Sequence, residues 1–162
     1  MRHEITMKVN GEALDLDVVP ADVLLDVLRD RIGVKSPKIG CERGDCGSCT
    51  VILEGRTVRS CLILAVEADG SEVTTVEGLD HEGLAALEGM FVSHSSFQCG
   101  FCAPGIVLAA AELLDHEPNP SRRDVQEAIS GNLCRCTGYE PIITAVLAAA
   151  DAAQPLASEV RP

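Results

Sequence analysis

The chain has 162 residues, 46% of them apolar, with no Trp, one Tyr and three Phe. That suffices for one domain or two small ones, with a core of Leu, Val, Ile and Ala. A formal net charge of −12 argues against nucleic acid and anionic membrane surfaces as partners, and no apolar run reaches the ~20 residues of a membrane span.

Eight cysteines could belong to a secreted disulfide scaffold. The opening Met1-Arg2-His3-Glu4-Ile5-Thr6 lacks the apolar core of a signal peptide, so a reducing, cytoplasmic setting is expected. Each half carries four cysteines, but the spacings differ, and there is no internal repeat.

Ile5, Met7 and Val9 alternate with polar residues, as do Leu14, Leu16 and Val18, and Asn10-Gly11 lies between them. That pattern predicts a β-hairpin. Pro20 closes the second strand. Asp22 is the expected N-cap of a helix with Val23, Leu24, Val27 and Leu28 on one face, ended by Gly33. Next comes G-C-E-R-G-D-C-G-S-C over residues 40–49. Thr50–Leu53, Glu54-Gly55 and Arg56–Ser60 predict a second hairpin that delivers Cys61 beside this loop. Val73–Val76 predicts a last short strand.

From about residue 77 the composition shifts to Ala, Leu and Glu, and the period becomes helical. Leu84, Leu87, Phe91 and Val92 suit one face of a helix starting near His81. Pro104 suits the first turn of a second helix running to about Leu114. Pro118-Asn119-Pro120 is a connection. Ser121, with Asp124 three residues on, predicts a capping box for a third helix, and Gly131 can end it. Pro141 opens a fourth helix through Ile142, Val146 and Leu147. The tail from Gln154 is expected to be mobile.

Cys41, Cys46, Cys49 and Cys61 form the spacing C-x4-C-x2-C…C of plant-type [2Fe–2S] ferredoxins. The chemistry explains it, because four thiolates must converge on two irons while backbone N–H groups face the sulfurs. Gly40, Gly44 and Gly47 give that loop its freedom. A zinc knuckle or two disulfides are the alternatives. Cys99 and Cys102 form C-x2-C, and Cys134 and Cys136 form C-x-C, on two interhelical loops. Helix N-termini near Cys102 and Tyr139 favour a negative cluster there. A structural zinc site is the alternative for this set. No Cys-x-His pair occurs, so a Rieske centre is excluded.

The strings G-C-E-R-G-D-C-G-S-C-T, Q-C-G-F-C-A-P-G and G-N-L-C-R-C-T-G-Y resemble those of one family. It is the small iron–sulfur subunit, or N-terminal iron–sulfur region, of molybdenum hydroxylases such as xanthine dehydrogenase, aldehyde oxidoreductase and carbon monoxide dehydrogenase. The resemblance spans about residues 5–150. It implies an α+β fold: a β-grasp, plant-type ferredoxin-like domain over residues 1–76, then a four-helix-bundle [2Fe–2S]-binding domain over 77–153.

The resemblance also implies two [2Fe–2S] clusters. Cys41, Cys46, Cys49 and Cys61 would hold the one nearer a flavin, and Cys99, Cys102, Cys134 and Cys136 the one nearer molybdenum. Gln98 and the Cys136 neighbourhood would contact the pterin. Ala103 stands where the family often has Thr, away from the ligands. The implied role is an electron-transfer subunit, itself without a catalytic residue, passing electrons from a molybdopterin cofactor on a large subunit to FAD on a medium subunit. The assembly would be a heterotrimer or a dimer of heterotrimers. A free-standing ferredoxin-type carrier is the alternative, in which Gln98 has no purpose.

His3, His81, His94 and His116 are expected on surfaces or helix faces, and Asp26, Asp30, Glu112 and Asp115 on solvated faces. Arg43 and Arg135 either moderate cluster charge or form plain salt bridges.

Overall fold

The computed structural model describes residues 2–79 and 81–153, with the backbone alone for 81–83. Strands β1 (His3–Val9) and β2 (Glu12–Val18) pair antiparallel, with Met7 opposite Leu14. Asn10 (φ 54°) and Gly11 (φ 83°) make the turn between them, the backbone an Asn-Gly hairpin requires. β3 (Thr50–Leu53) and β4 (Arg56–Arg59) form the second hairpin, and β5 (Glu72–Thr74) completes the sheet. The strand order is β2-β1-β5-β3-β4. β5 runs parallel to β1 and antiparallel to β3.

Helix α1 (Leu24–Asp26) opens as an α-helix and continues over Val27–Ile32 in wider turns, closed by the Gly33 N–H donating to the Leu28 carbonyl. Leu24, Val27 and Leu28 leave it toward Ile5, Met7, Val9, Val51 and Val73, forming one buried core. Each such side chain contributes about 1.5–3 kcal/mol of apolar burial.

Helices α2 (His81–Ser93), α3 (Ala103–His116), α4 (Arg122–Ile129) and α5 (Glu140–Ala153) make up the second half. α5 packs on α2 and α4, and α3 packs on α2, α4 and strand β3. Their core holds Leu87, Phe91, Ile106, Val125, Ile129, Ile142 and Val146. Pro104 lies in the first turn of α3. Ser121 caps α4, its N–H donating to Asp124 Oδ2 at 2.7 Å.

Several expectations are corrected. Asp22 does not cap α1. Its carboxylate instead accepts from the Val19 N–H at 2.8 Å and pairs with Arg31, while Val23 occupies the cap position. Val92 is 79% exposed, because it lies at the edge of the α2 stripe and the core ends at Phe91. The last strand covers Glu72–Thr74, and Val76 begins a short 3-10 turn. α4 ends at Ile129 with Ser130 at its C-cap, and Gly131 follows directly. Glu112 is not solvated: Thr57 donates to it through its N–H at 3.2 Å and its hydroxyl at 2.6 Å. The tail from Gln154 and the His81 side chain lie outside the described residues.

Candidate metal centres

The first cysteine loop is closed at its base by the Lys38 N–H donating to the Ser48 carbonyl at 2.8 Å. Gly44 (φ 88°) and Gly47 (φ 72°) turn the chain so that amides face sulfur. The Cys46 N–H donates to Cys41 Sγ at 3.4 Å. Backbone donors at Arg43 and Cys46 together hold the Cys41 thiol down at about 7. Gly40 must lack a side chain, since a Cβ there would come within 2.7 Å of Cys46 Sγ.

A 3-10 turn after β4, Ser60–Leu62, delivers Cys61. The Ser60 hydroxyl donates to the Cys49 carbonyl at 2.7 Å and fixes that delivery. Cys49 and Cys61 are buried together against Leu25. Burial, then the Cys49 thiol, pushes Cys61 up to about 11.

The second set sits where helices begin. Cys102 caps α3, and α5 starts one residue after Tyr139. Cys136 Sγ lies 3.6 Å from Cys99 Sγ. Cys102 and Cys134 are in hydrogen-bond contact, and Cys102 is pushed up to about 12, chiefly by burial. The Phe101 N–H lowers Cys99. At Cys134 burial acts upward, but the Thr137 hydroxyl at 3.2 Å and the Cys136 and Thr137 amides outweigh it. Cys136 is raised by its contact with the Cys99 thiol. Gln98 Nε2 donates to the Cys136 carbonyl at 3.2 Å, so the two expected pterin contacts lie side by side on an exposed face.

In each set the thiols interact with one another, with side-chain contacts between Cys41 and Cys46 and between Cys49 and Cys61, then between Cys99 and Cys136 and between Cys102 and Cys134. All eight are free of disulfides. Among the described residues no three Cys, His, Asp or Glu gather closely enough to hold one metal ion. Two thiol pairs per set suit a centre of two irons with two thiolates each.

Sequence reasoning missed the residues that hold the two loops together. Asn132, 2% exposed, donates through Nδ2 to the Gly47 carbonyl at 3.0 Å and to Thr50 Oγ1 at 3.1 Å. Arg59 donates to Thr50 Oγ1 at 2.9 Å and to the Gly131 carbonyl at 2.6 Å. The Cys134 N–H donates to the Tyr139 hydroxyl at 2.8 Å, which itself donates to the Asn132 carbonyl at 3.2 Å. Gly105 lets the loops close, since a Cβ would lie 2.5 Å from the Gly47 carbonyl. A glycine in the first turn of a helix was the one available signal, because it is costly there without a packing reason. Arg43 pairs with Asp45 at 2.7 Å on the surface, and Arg135 is exposed.

Residues 7–75 match the family described as 2Fe-2S iron-sulfur cluster binding domain. Residues 75–147 match the [2Fe-2S] binding domain family. The chain is 46% identical to the nicotine 6-hydroxylase small subunit of Paenarthrobacter nicotinovorans, over 90% of this chain and 88% of that one. It superposes on the crystal structure of quinoline 2-oxidoreductase from Pseudomonas putida 86 with a TM-score of 0.88. That match has 47% identity and covers 95% of this chain and 97% of the other. Aldehyde oxidoreductase from Desulfovibrio desulfuricans ATCC 27774 gives a TM-score of 0.88 and 42% identity, over 94% of this chain but 17% of that longer one. With two cysteine loops, two family matches and relatives this similar along nearly its whole length, the chain belongs to the [2Fe–2S] small subunits of the molybdenum hydroxylase family.

Proposed function

We propose that the chain carries single electrons between a molybdopterin centre on a large partner and FAD on a medium partner. Cys41, Cys46, Cys49 and Cys61 hold one [2Fe–2S] centre, and Cys99, Cys102, Cys134 and Cys136 hold a second. Each such centre supplies one-electron redox chemistry when bound. The chain's own residues do the rest. Amides of Arg43, Cys46, Phe101 and Thr137 stabilise thiolate charge. Leu25 and the α3 N-terminus shield Cys49, Cys61 and Cys102 from water. Gln98, steadied on the Cys136 carbonyl, would offer the pterin a polar contact on the face where Cys99 and Cys136 are exposed.

In this reading residues 1–76 form a β-grasp domain, 77–153 a four-helix-bundle domain, and the chain works in the cytoplasm within a heterotrimer or a dimer of heterotrimers. The observation that carries it is the pairing of eight thiols into two sets whose loops are hydrogen-bonded to each other. The mixed sheet with α1 packed on it supports the two-domain part of this reading. Purification of the tagged chain from its native host tests it. A large molybdenum-containing chain and a flavin-containing chain are expected to accompany it. A stable, isolated monomer carrying both centres would instead make it a free-standing electron carrier.

A further inference from the structure

Lys38 belongs to the first cysteine loop by sequence and faces the second set in space. It precedes Cys41 by three residues, and its N–H anchors it to the Ser48 carbonyl beside Cys49. The ammonium lies 5.6 Å from the centroid of the Phe101 ring, and Phe101 sits inside Cys99-Gly100-Phe101-Cys102. A cation over an aromatic face is held there by the ring's quadrupole.

The surroundings fix this placement. Arg29 donates to the carbonyls of Lys35 at 3.2 Å and Pro37 at 2.6 Å, clamping the segment that carries Lys38. Glu77 holds the same segment from the other side through the Lys35 and Ser36 amides, at 3.2 and 2.9 Å. Lys38 Nζ also donates to the Ser36 carbonyl at 3.4 Å. The charged groups that act on the ammonium are Arg29, Glu77 and the thiols of Cys102 and Cys99. Lys38 is half-buried, so salt screens it less than a surface lysine.

A cluster that accepts one electron gains one unit of negative charge, and no proton is needed. In a chain of net charge −12 a nearby fixed cation favours the reduced form, and local charge is among the factors that set an iron–sulfur potential. We propose that Lys38 is a tuning residue supplied by the first half to the centre on Cys99, Cys102, Cys134 and Cys136, raising that centre's reduction potential so that it accepts electrons more readily. The proposal rests on the two-centre reading above. At an effective dielectric near 20, one unit charge about 12 Å away alters a one-electron equilibrium on the order of tenfold.

The test is a redox titration followed by electron paramagnetic resonance on the holo chain within its complex. The parent, Lys38→Met and Lys38→Arg are compared, and Cys136→Ser identifies which signal belongs to the second set. Lys38→Met keeps the apolar stem and loses the charge, whereas Lys38→Arg keeps a permanent charge able to stack on Phe101. In Lys38→Met the second-set signal is expected to become harder to reduce by about tenfold, ~59 mV for one electron. The first-set signal moves less, and Lys38→Arg restores the parent value. An unmoved second-set potential, an equal shift of both signals, or an arginine variant that behaves like methionine would overturn the assignment. A parent with fewer than two signals would overturn the two-centre reading itself, and the tuning role with it.

Discussion

The Leu133 N–H donates to the Cys46 carbonyl at 2.9 Å. One hydrogen bond therefore joins a member of the first cysteine set to the residue next to Cys134, although the two loops are far apart in sequence. Asn132 and Arg59 reinforce that contact from either side.

Asn132→Ala tests how much this junction contributes. The side chain is buried, and its removal deletes two hydrogen bonds, while the Gly47 carbonyl keeps the Thr50 hydroxyl and the Thr50 hydroxyl keeps Arg59. Such a loss costs roughly 1–3 kcal/mol, or about 2–4 °C in Tm per kcal/mol for a chain of this size. Thermal unfolding of the holo protein measures it. An unchanged Tm would mean that the two halves do not depend on this bond.

Two glycines should respond with opposite signs. A Cβ at Gly105 would lie 2.5 Å from both the Gly47 carbonyl and Asn132 Nδ2, so Gly105→Ala should wedge the loops apart and destabilise by about 1–3 kcal/mol. Gly89 lies within α2 with open space around it, so Gly89→Ala should stabilise by roughly 0.5–1 kcal/mol. Denaturant midpoints of the two variants decide this, and shifts of the same sign would refute the packing argument.

Tyr139→Phe should act on one centre only. The hydroxyl accepts a hydrogen bond from the Cys134 N–H and donates one to the Asn132 carbonyl. Without it the C-x-C loop loses its brace, at a cost of roughly 1–3 kcal/mol for an unsatisfied amide. The expected outcome is faster loss of the second-set paramagnetic signal on mild heating, with the first-set signal retained. Loss of both at equal rates would show that Tyr139 stabilises the whole chain and not this loop.

Glu77 makes stability depend on pH at the acid end. Burial acts upward on its carboxyl, but the hydroxyls of Ser36 and Thr75 and the Ser36 amide outweigh it and hold its pKa at about 2. Since the folded value lies below the ordinary ~4.3 of glutamate, the unfolded state binds the proton more readily. Stability from this group is complete above that ordinary value and is lost as pH falls toward 2. Glu77→Gln should therefore be less stable than the parent near neutrality, with the difference shrinking between about pH 4.3 and 2. A gap that stays constant across that range in urea titrations would show that Glu77 acts only through packing.

Much of this architecture is legible in local signals. Asn10-Gly11 has the turn backbone that its residue pair favours, Ser121 and Asp124 form the expected cap, and Pro104 opens its helix. The cysteine spacings single out the two loops in which the thiols lie together. Local signals mislead where tertiary contacts decide. Asp22 is drawn from its cap role by the Val19 amide and Arg31, and Glu112 is drawn from solvent by Thr57. Asn132, Arg59 and Tyr139 reach across the fold, and no periodicity or turn chemistry marks a polar residue whose partners lie so far along the chain. The parallel pairing of β1 with β5 is hidden for the same reason, since its register depends on all that intervenes.

Iron and acid-labile sulfide content of the intact protein tests the central claim most directly. Two thiol-paired sets predict about four irons and four sulfides per chain, together with two distinguishable [2Fe–2S] signals on reduction, and a fall to about half in Cys136→Ser. A colourless protein containing zinc and no labile sulfide would contradict it.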